Sequence, residues 1–419
     1  MAKFIIQGRK KLNGEVTVQG AKNAATPILA ASLLVQGSTV LENVPNILDV
    51  EKMKRILERL DMEVASDFQS HRVRLNAMAV KSRSLDFPEV REMRSSILLV
   101  GSLLARFGRV KIPHPGGCHI GARSIDTHLD ALQSLGVKIR HEKDCYVLET
   151  KALKGAEVVL EEFSVTATEN LIMAAVAANG RTVIKLAASE PHVQDLARFL
   201  RQAGAKIQGA GTHTIVIEGV KTLCGVRHKI IPDMIEAGTL IIAGLITGGT
   251  VKVKNLDPGH LEIFLKKLEE TGARLVVGKD YVRTLPSPRF NALKIQTLPY
   301  PGFPTDLQAP FAVLLTQAQG ESMVHDPMYE GRLKYLGELK KMGGRVEILD
   351  AHRAKIFGPT KLRGRKITSL DLRAGATLVL AALAASGRTI IERAEEIDRG
   401  YENIEGKLKA LGAEIRRVE

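Results

Sequence analysis

Leu372-Arg373-Ala374-Gly375-Ala376-Thr377-Leu378-Val379-Leu380-Ala381-Ala382-Leu383-Ala384-Ala385-Ser386-Gly387-Arg388-Thr389-Ile390-Ile391 is the stretch that decides the fold. About a dozen residues, apolar on nearly every helical face, end in a small turn with a glycine. A β-rich run follows. A helix of that kind belongs inside a core and not on a surface. The glycine suits a helix C′ position, where positive φ is needed, and Thr-x-Ile suits a strand.

The same pattern occurs at Asn23 to Gly37, Arg94 to Gly108, Thr166 to Gly180, Glu236 to Gly248 and Leu307 to Gly320. Successive closing glycines are 71, 72, 68, 72 and 67 residues apart. A second mark keeps this period. Charged amphipathic segments end at Leu135-Gly136, Ala203-Gly204, Thr271-Gly272, Met342-Gly343 and Leu411-Gly412, each followed by an exposed strand. The first copy is Leu60-Asp61, with Asp where the others have Gly. Two marks at one period identify six repeats.

Each repeat therefore reads as strand, buried helix, strand, amphipathic helix, strand, strand: an α/β chain of βαβαββ units. Three such units can bury their helices together, so six make two lobes. The expected lobes are 22–231 and 1–21 plus 232–419, with the boundary near Lys229–Pro232. The period is too long for the common solenoids. No Gly-x-Gly-x-x-Gly follows a strand, and there is no Gly-x-x-x-x-Gly-Lys-Ser/Thr, so the usual nucleotide-binding loops are excluded.

Composition bounds the function. The 419 residues carry 60 Lys+Arg against 46 Asp+Glu, a net charge of +14. That excess suits anionic partners. It is spread thinly, so a solvated basic surface explains it equally well. Aromatics are 4% and Trp is absent, which opposes base-stacking surfaces. Cys118, Cys145 and Cys224 show no metal-ligand spacing, so neither a disulfide framework nor structural zinc is expected. Cys145 and Cys224 sit in strand-like contexts and read as structural. No signal-peptide core opens the chain. The apolar runs are shorter than the roughly 18 residues that span a bilayer. A soluble cytosolic protein is expected.

Polar residues gather where the buried helices begin: Lys22-Asn23, Arg94, Thr166 to Asn170, Asp233 and Glu236, Thr305-Asp306, and Asp371 with Arg373. Helix capping, worth about 1 kcal/mol each, accounts for Thr305, Asp306 and Asp371. It does not account for Lys22, Arg94 or Arg373, because cations at a helix N-terminus oppose the macrodipole. An anion lying among them reverses that sign, so an anionic ligand is expected. The loop Pro115-Gly116-Gly117-Cys118-His119-Ile120-Gly121-Ala122-Arg123 joins glycine mobility to a thiol and a guanidinium. The thiol can serve as proton donor or nucleophile. The loop by itself also reads as an ordinary turn. Arg399 has local acidic neighbours, Asp398 and Glu402, with which it can pair.

Taken together, these segments resemble the enolpyruvyl transferase family, and within it the UDP-N-acetylglucosamine 1-carboxyvinyltransferases. The resemblance rests on Gly20-Ala21-Lys22-Asn23-Ala24-Ala25, Pro115 to Arg123, Ser164-Val165-Thr166-Ala167-Thr168-Glu169-Asn170, Phe303-Pro304-Thr305-Asp306-x-Gln308, Asp371-Leu372-Arg373-Ala374 and Asp398-Arg399-Gly400-Tyr401, and spans essentially the whole chain. It implies a two-lobed inside-out α/β barrel. It implies transfer of the enolpyruvyl group of phosphoenolpyruvate to the 3′-hydroxyl of UDP-N-acetylglucosamine, the step that begins peptidoglycan precursor synthesis. By the same resemblance Cys118 is the general acid and the site of a covalent adduct, and Asp306 is the base. Lys22, Arg123 and Arg399 bind phosphoenolpyruvate, with Arg94 and Arg373 adding positive charge. Asn23 and Asp371 support the reacting groups. Ser164, Val165 and Thr166 hold the UDP part, and Met328 also contacts substrate. No metal or organic cofactor, no nucleic acid and no membrane insertion are implied; the oligomeric state is left open, a monomer being compatible. Cys118 in place of the Asp of resistant family members implies sensitivity to fosfomycin.

The chain departs from the family pattern at Leu48, where a basic residue often precedes Asp49. It departs also at Met234, after Asp233, and at Gly331, between Glu330 and Arg332. The rival within the family is a 5-enolpyruvylshikimate-3-phosphate synthase, opposed by Lys22-Asn23 and by the Cys118 loop. A UDP-sugar-binding paralogue without activity is the other alternative.

Overall fold

The computed structural model describes residues 2–82, 84–116, 121 and 124–419. These divide into two compact units, one holding 2–19 and 232–419, the other 20–116 and 124–231. Each has its own apolar core.

In the 232–419 unit the core is built on three helices, Met234–Ile246, Thr305–Leu315 and Leu372–Ala384, each packed against the other two. Leu372–Ala384 is buried from Leu372 through Leu383, as its all-round apolar sequence requires. Three sheets surround them. Their strands alternate buried and solvent-facing residues, as in Arg388–Glu392, where Thr389 and Ile391 point inward. Such alternation marks a sheet with one face on a core and one in water. In the 20–231 unit, Leu99–Phe107 packs against both Lys22–Ala31 and Val165–Ala175. The amphipathic helices lie further out. Glu262–Glu270, for example, buries Phe264, Leu265 and Leu268 and leaves its acidic residues outward.

The repeats share one topology. The first strand lies parallel to the second, the buried helix makes the crossover between them, and the last two strands add antiparallel. A parallel pair requires such a crossover. Glu157–Val159, Lys294–Gln296 and Lys366–Thr368 take the first position from within their own repeats. Elsewhere the expectation of six elements per repeat is corrected. Arg227–Lys229 supplies the first strand beside Ser38–Glu42, and Asn13–Thr17 supplies it beside Thr250–Lys254. Lys3–Gln7 inserts between Arg388–Glu392 and Glu414–Val418 as the closing strand of the sixth repeat. The second repeat has a three-stranded sheet among the described residues, 109–113, 145–149 and 138–142. There the hydrogen bond from Leu85 N–H to Lys111 O at 2.8 Å stands where the others have a first strand.

The closing glycines all have positive φ, from 65° at Gly248 to 108° at Gly320. Asp61 has φ 64°, the same left-handed conformation as the glycines that replace it in the other copies. Aspartate tolerates that region better than most residues. Cys224 is exposed at the end of a two-residue strand, so the structural reading of that thiol does not hold. Among the described residues no helix is long and apolar enough to cross a membrane.

Candidate active site

The starts of the buried helices carry the polar groups, and the structure separates those that cap from those that do not. Asp371 caps Leu372–Ala384, accepting from the backbone N–H groups of Arg373 and Ala374 at 2.7 and 2.9 Å. Asp233 caps Met234–Ile246, and Ser164 caps Val165–Ala175. Thr305 and Asp306 do not cap, contrary to expectation. Their helix begins at Thr305, and its N-cap is Pro304, which has no side-chain acceptor.

Asp306 is therefore available to other groups. Arg332 Nη2 donates to its Oδ1, and Arg373 Nε donates to its Oδ2 at 3.1 Å. The two arginine side chains are 7% and 4% exposed, and that of Asp306 is 23% exposed. Burial is the largest influence and opposes the charge on each guanidinium, but the surrounding acidic groups, Asp306 foremost, together outweigh it and the pKa of each is raised. Both stay cationic. Arg373 lies over the Tyr401 ring, 5.2 Å from its centroid, and Tyr401 OH meets the Thr239 hydroxyl at 3.1 Å. The buried Nη1 of Arg373 makes no hydrogen bond. An orphan donor costs about 1–3 kcal/mol, which an incoming oxygen acceptor would relieve. On the other side, Arg332 Nε donates to Thr305 Oγ1 at 3.0 Å, and the Thr305 hydroxyl donates to Asp326 Oδ2 at 2.6 Å. Met328 N–H donates to Asp326 Oδ1 at 3.1 Å, which fixes the backbone at Met328.

Arg399 ends the short Ala394–Arg399 helix, with Nη1 3.4 Å from Glu396 Oε2. Of its two expected partners, Asp398 and Glu402, Asp398 pairs with Arg417 at 2.6 Å. Burial pushes the Asp398 carboxyl up to about 6 despite that arginine.

In the 20–231 unit Lys22 opens its helix and pairs with the buried Asp49 at 2.9 Å. Arg94 Nη2 donates to the backbone oxygen of Ser124 at 2.8 Å. The three cations that the macrodipole disfavours thus each have a protein acceptor: Asp49, Ser124 O and Asp306. Asn23 is partly exposed on the first turn of the same helix.

Thr166 and its neighbours form a directional network. Asn170 Oδ1 accepts from Gly101 N–H at 2.8 Å, so its Nδ2 is the donor to His128 Nδ1 at 3.0 Å. His128 then carries its proton on Nε2 and gives it to Thr166 Oγ1 at 3.0 Å. That leaves the Thr166 hydroxyl hydrogen to donate elsewhere. Val165 is partly buried beside the apolar core. Burial, and then the Glu190 carboxyl, push Glu169 well above the usual carboxylate range.

Sequence reasoning missed two features. Arg332 was noted only as the neighbour of Gly331, which turns out to be the N-cap of its short helix. The other was legible: Asn23-x-x-x-Pro27 and Asp306-x-x-x-Pro310 repeat one spacing, with both prolines inside their helices. Proline has no N–H, so the backbone oxygens of Asn23 and Asp306 lack their intrahelical donor. Cys118 and Arg123 lie outside the described residues. Among the described residues no group of three or more His, Cys, Asp or Glu could hold a metal ion.

Six repeats around buried helices and a carboxylate clamped by two buried arginines define a class, and comparison with known proteins gives it a name. Residues 6–408 match the EPSP synthase (3-phosphoshikimate 1-carboxyvinyltransferase) family, and the chain belongs to that family of enolpyruvyl transferases. Its fold is the family's two-lobed inside-out α/β barrel. The chain is 45% identical over 420 residues to a UDP-N-acetylglucosamine 1-carboxyvinyltransferase of Koribacter versatilis, covering all of this chain and 97% of that protein. It is 44% identical to the enzyme of that name from Coxiella burnetii, covering 100% and 96%. Among solved structures it is similar to the enolpyruvyl transferase NikO from Streptomyces tendae, with TM-score 0.90, 26% identity, and coverage of 100% and 99%. EPSP synthase from Acinetobacter baumannii shares the fold, with TM-score 0.76, 17% identity and full coverage of both chains.

Proposed function

We propose that this enolpyruvyl transferase moves the enolpyruvyl group of phosphoenolpyruvate to the 3′-hydroxyl of UDP-N-acetylglucosamine, with release of phosphate, in the cytoplasm. The observation that carries the chemistry is the Asp306 carboxylate, hydrogen-bonded by Arg332 and Arg373 at the start of a buried helix. The choice of acceptor is supported by the full-length relatives at 43–45% identity, all of which carry the UDP-sugar name.

The steps assign a role to each group. The Cys118 thiol gives its proton to C3 of phosphoenolpyruvate, and C2 becomes electrophilic. The sugar 3′-oxygen bonds to C2 as Asp306 takes the hydroxyl proton. A tetrahedral ketal phosphate results. Loss of a proton from C3 then restores the double bond, the C2–O bond to phosphate breaks, and phosphate leaves. Cys118 can also attack C2 and hold the group as a thioether adduct. Lys22, Arg123 and Arg399 bind the anionic groups of phosphoenolpyruvate, and Arg94 and Arg373 raise the local positive potential. The orphan Nη1 of Arg373 is a donor for a substrate oxygen. Asn23 and Asp371 support the reacting groups. Ser164, Val165 and the Thr166 hydroxyl hydrogen meet the diphosphate at a helix N-terminus, and Met328 meets the substrate through the backbone that Asp326 fixes.

The second reading is transfer to shikimate 3-phosphate, which the family's name favours. Phosphate release from phosphoenolpyruvate is the test. It is expected with UDP-N-acetylglucosamine, not with shikimate 3-phosphate, and to be abolished by fosfomycin. Turnover with shikimate 3-phosphate alone reverses the assignment.

A further inference from the structure

A carboxylate with two guanidinium donors is well held but weakly basic, since each cation stabilises the ionised form. How firmly Arg332 grips Asp306 therefore decides how well Asp306 can take a proton. Arg332 also donates through Nε to the Thr305 hydroxyl. That hydroxyl faces Arg332 with a lone pair because its hydrogen is committed to Asp326.

Asp326 is fully buried, and nothing about it is loose. Its N–H donates to His352 O at 2.8 Å, and His352 Nδ1 donates to its carbonyl at 2.7 Å. Its carboxylate takes hydrogen bonds from Thr305 and Met328 N–H. The two bonds fall on different oxygens, so an asparagine whose Oδ1 keeps the Thr305 bond would turn its NH2 toward Met328 N–H. The negative charge of Asp326 acts on Arg332, as do those of Asp306 and Asp371.

We propose that Asp326, acting through the Thr305 hydroxyl, is a positioning residue that sets how Arg332 holds the Asp306 carboxylate. The proposal rests on the reading of Asp306 as the base. Asp326 touches neither substrate nor the reacting atoms; it orients Thr305, Thr305 orients Arg332, and Arg332 tunes Asp306. Other charged and titratable groups around this line include Arg373, with Asp233 and Tyr401 beside it, Tyr329 under Arg332, the buried Tyr335 near both Asp326 and Arg332, and His352 on the Asp326 carbonyl. None of them bridges Thr305 and Arg332.

The two links act with opposite signs. Thr305→Val removes the hydroxyl, so Arg332 turns toward the uncompensated Asp326 and releases Asp306. A carboxylate that loses a cation binds its proton more tightly, and the acidic limb of the kcat–pH profile moves up. Asp326→Asn removes a negative charge, Arg332 draws harder on Asp306, and the limb moves down.

The test is the kcat–pH profile of the full chain, read as phosphate release from phosphoenolpyruvate with UDP-N-acetylglucosamine. Thr305→Val should raise the acidic limb by about 0.5–1 pH unit, and Asp326→Asn should lower it by a similar amount. Thr305→Ser should restore the wild-type limb. The KM for phosphoenolpyruvate should stay within about twofold, because uniform binding is untouched. A merely structural role would reduce yield and melting temperature without moving the limb. An unmoved limb in Thr305→Val, or an upward move in Asp326→Asn, overturns the proposal. If Thr305→Val does not fold, the sign for Asp326→Asn decides alone. Asp306→Asn serves as the separate control: wild-type turnover there removes Asp306 as the base, whereas lost turnover with unmoved limbs removes only the positioning role.

Discussion

Asp371 and Asp306 stand at the starts of two neighbouring buried helices and do different work. Asp371 occupies the N-cap with an extended backbone, φ −159°, and Oδ1 of its carboxylate accepts from two backbone N–H groups. Asp306 is the second residue of its helix, behind Pro304, and its carboxylate meets two side-chain cations. A shift of two positions relative to the helix start thus decides whether an aspartate is a structural cap or a reactive group. The cap points along the helix axis at its own first turn, while a residue inside that turn projects sideways toward neighbouring elements.

The sharpest break of this contrast is Asp306→Asn. It should lower kcat by about 10²–10⁴, measured as phosphate release at saturating substrates, while Asp306→Ala should also lower stability by about 3–5 kcal/mol because two buried guanidiniums lose their counter-charge. Wild-type turnover in the first would contradict the proposed base.

Asp398 extends the comparison to a half-buried aspartate with one arginine. Its carboxyl sits at about 6 when folded, above its ordinary value, so the folded state holds the proton more tightly. The stability it contributes is complete at acid pH and is lost as pH rises from about 4 to about 6. Partial exposure reduces the effect to about 1–2 kcal/mol. Urea unfolding across that range should show the decline in wild type and a flatter profile in Asp398→Asn.

Capping tolerates substitution where proton transfer does not. Asp371→Ala should cost about 1 kcal/mol of stability, and Asp371→Ser should recover most of it. Equal losses in both would show that Asp371 does more than cap. The smallest effect is expected at Asp61, held at φ 64°. Asp61→Gly should raise the melting temperature slightly, by the equivalent of about 0.5–1 kcal/mol, since the backbone strain exceeds the entropy that glycine adds.

Much of the fold was legible. The 67–72-residue spacing of the closing glycines located six repeats, and the all-round apolar helices placed them in cores. The strand exchanges were not legible. Asn13–Thr17, Lys3–Gln7 and Arg227–Lys229 have ordinary strand patterns, and nothing local names the sheet they join. The site divides likewise. Lys22, Asn23, Asp306, Asp371 and Arg373 were visible because they interrupt apolar runs. Arg332 was not, because its partner lies 26 residues away and no period links them.

The sequence by itself determined the repeat, the buried helices, the positions of the polar residues at their starts, and through its motifs the family. Those properties follow from local periodicity and residue type, which the chain carries in its order. Only the tertiary structure decided which aspartates cap and which meet arginines, that Lys22 is answered by Asp49, and that Asp326 stands behind Thr305 and Arg332. Hydrogen bonds between side chains depend on ångström-scale placement of elements far apart in the chain, and no spacing along the sequence encodes that distance.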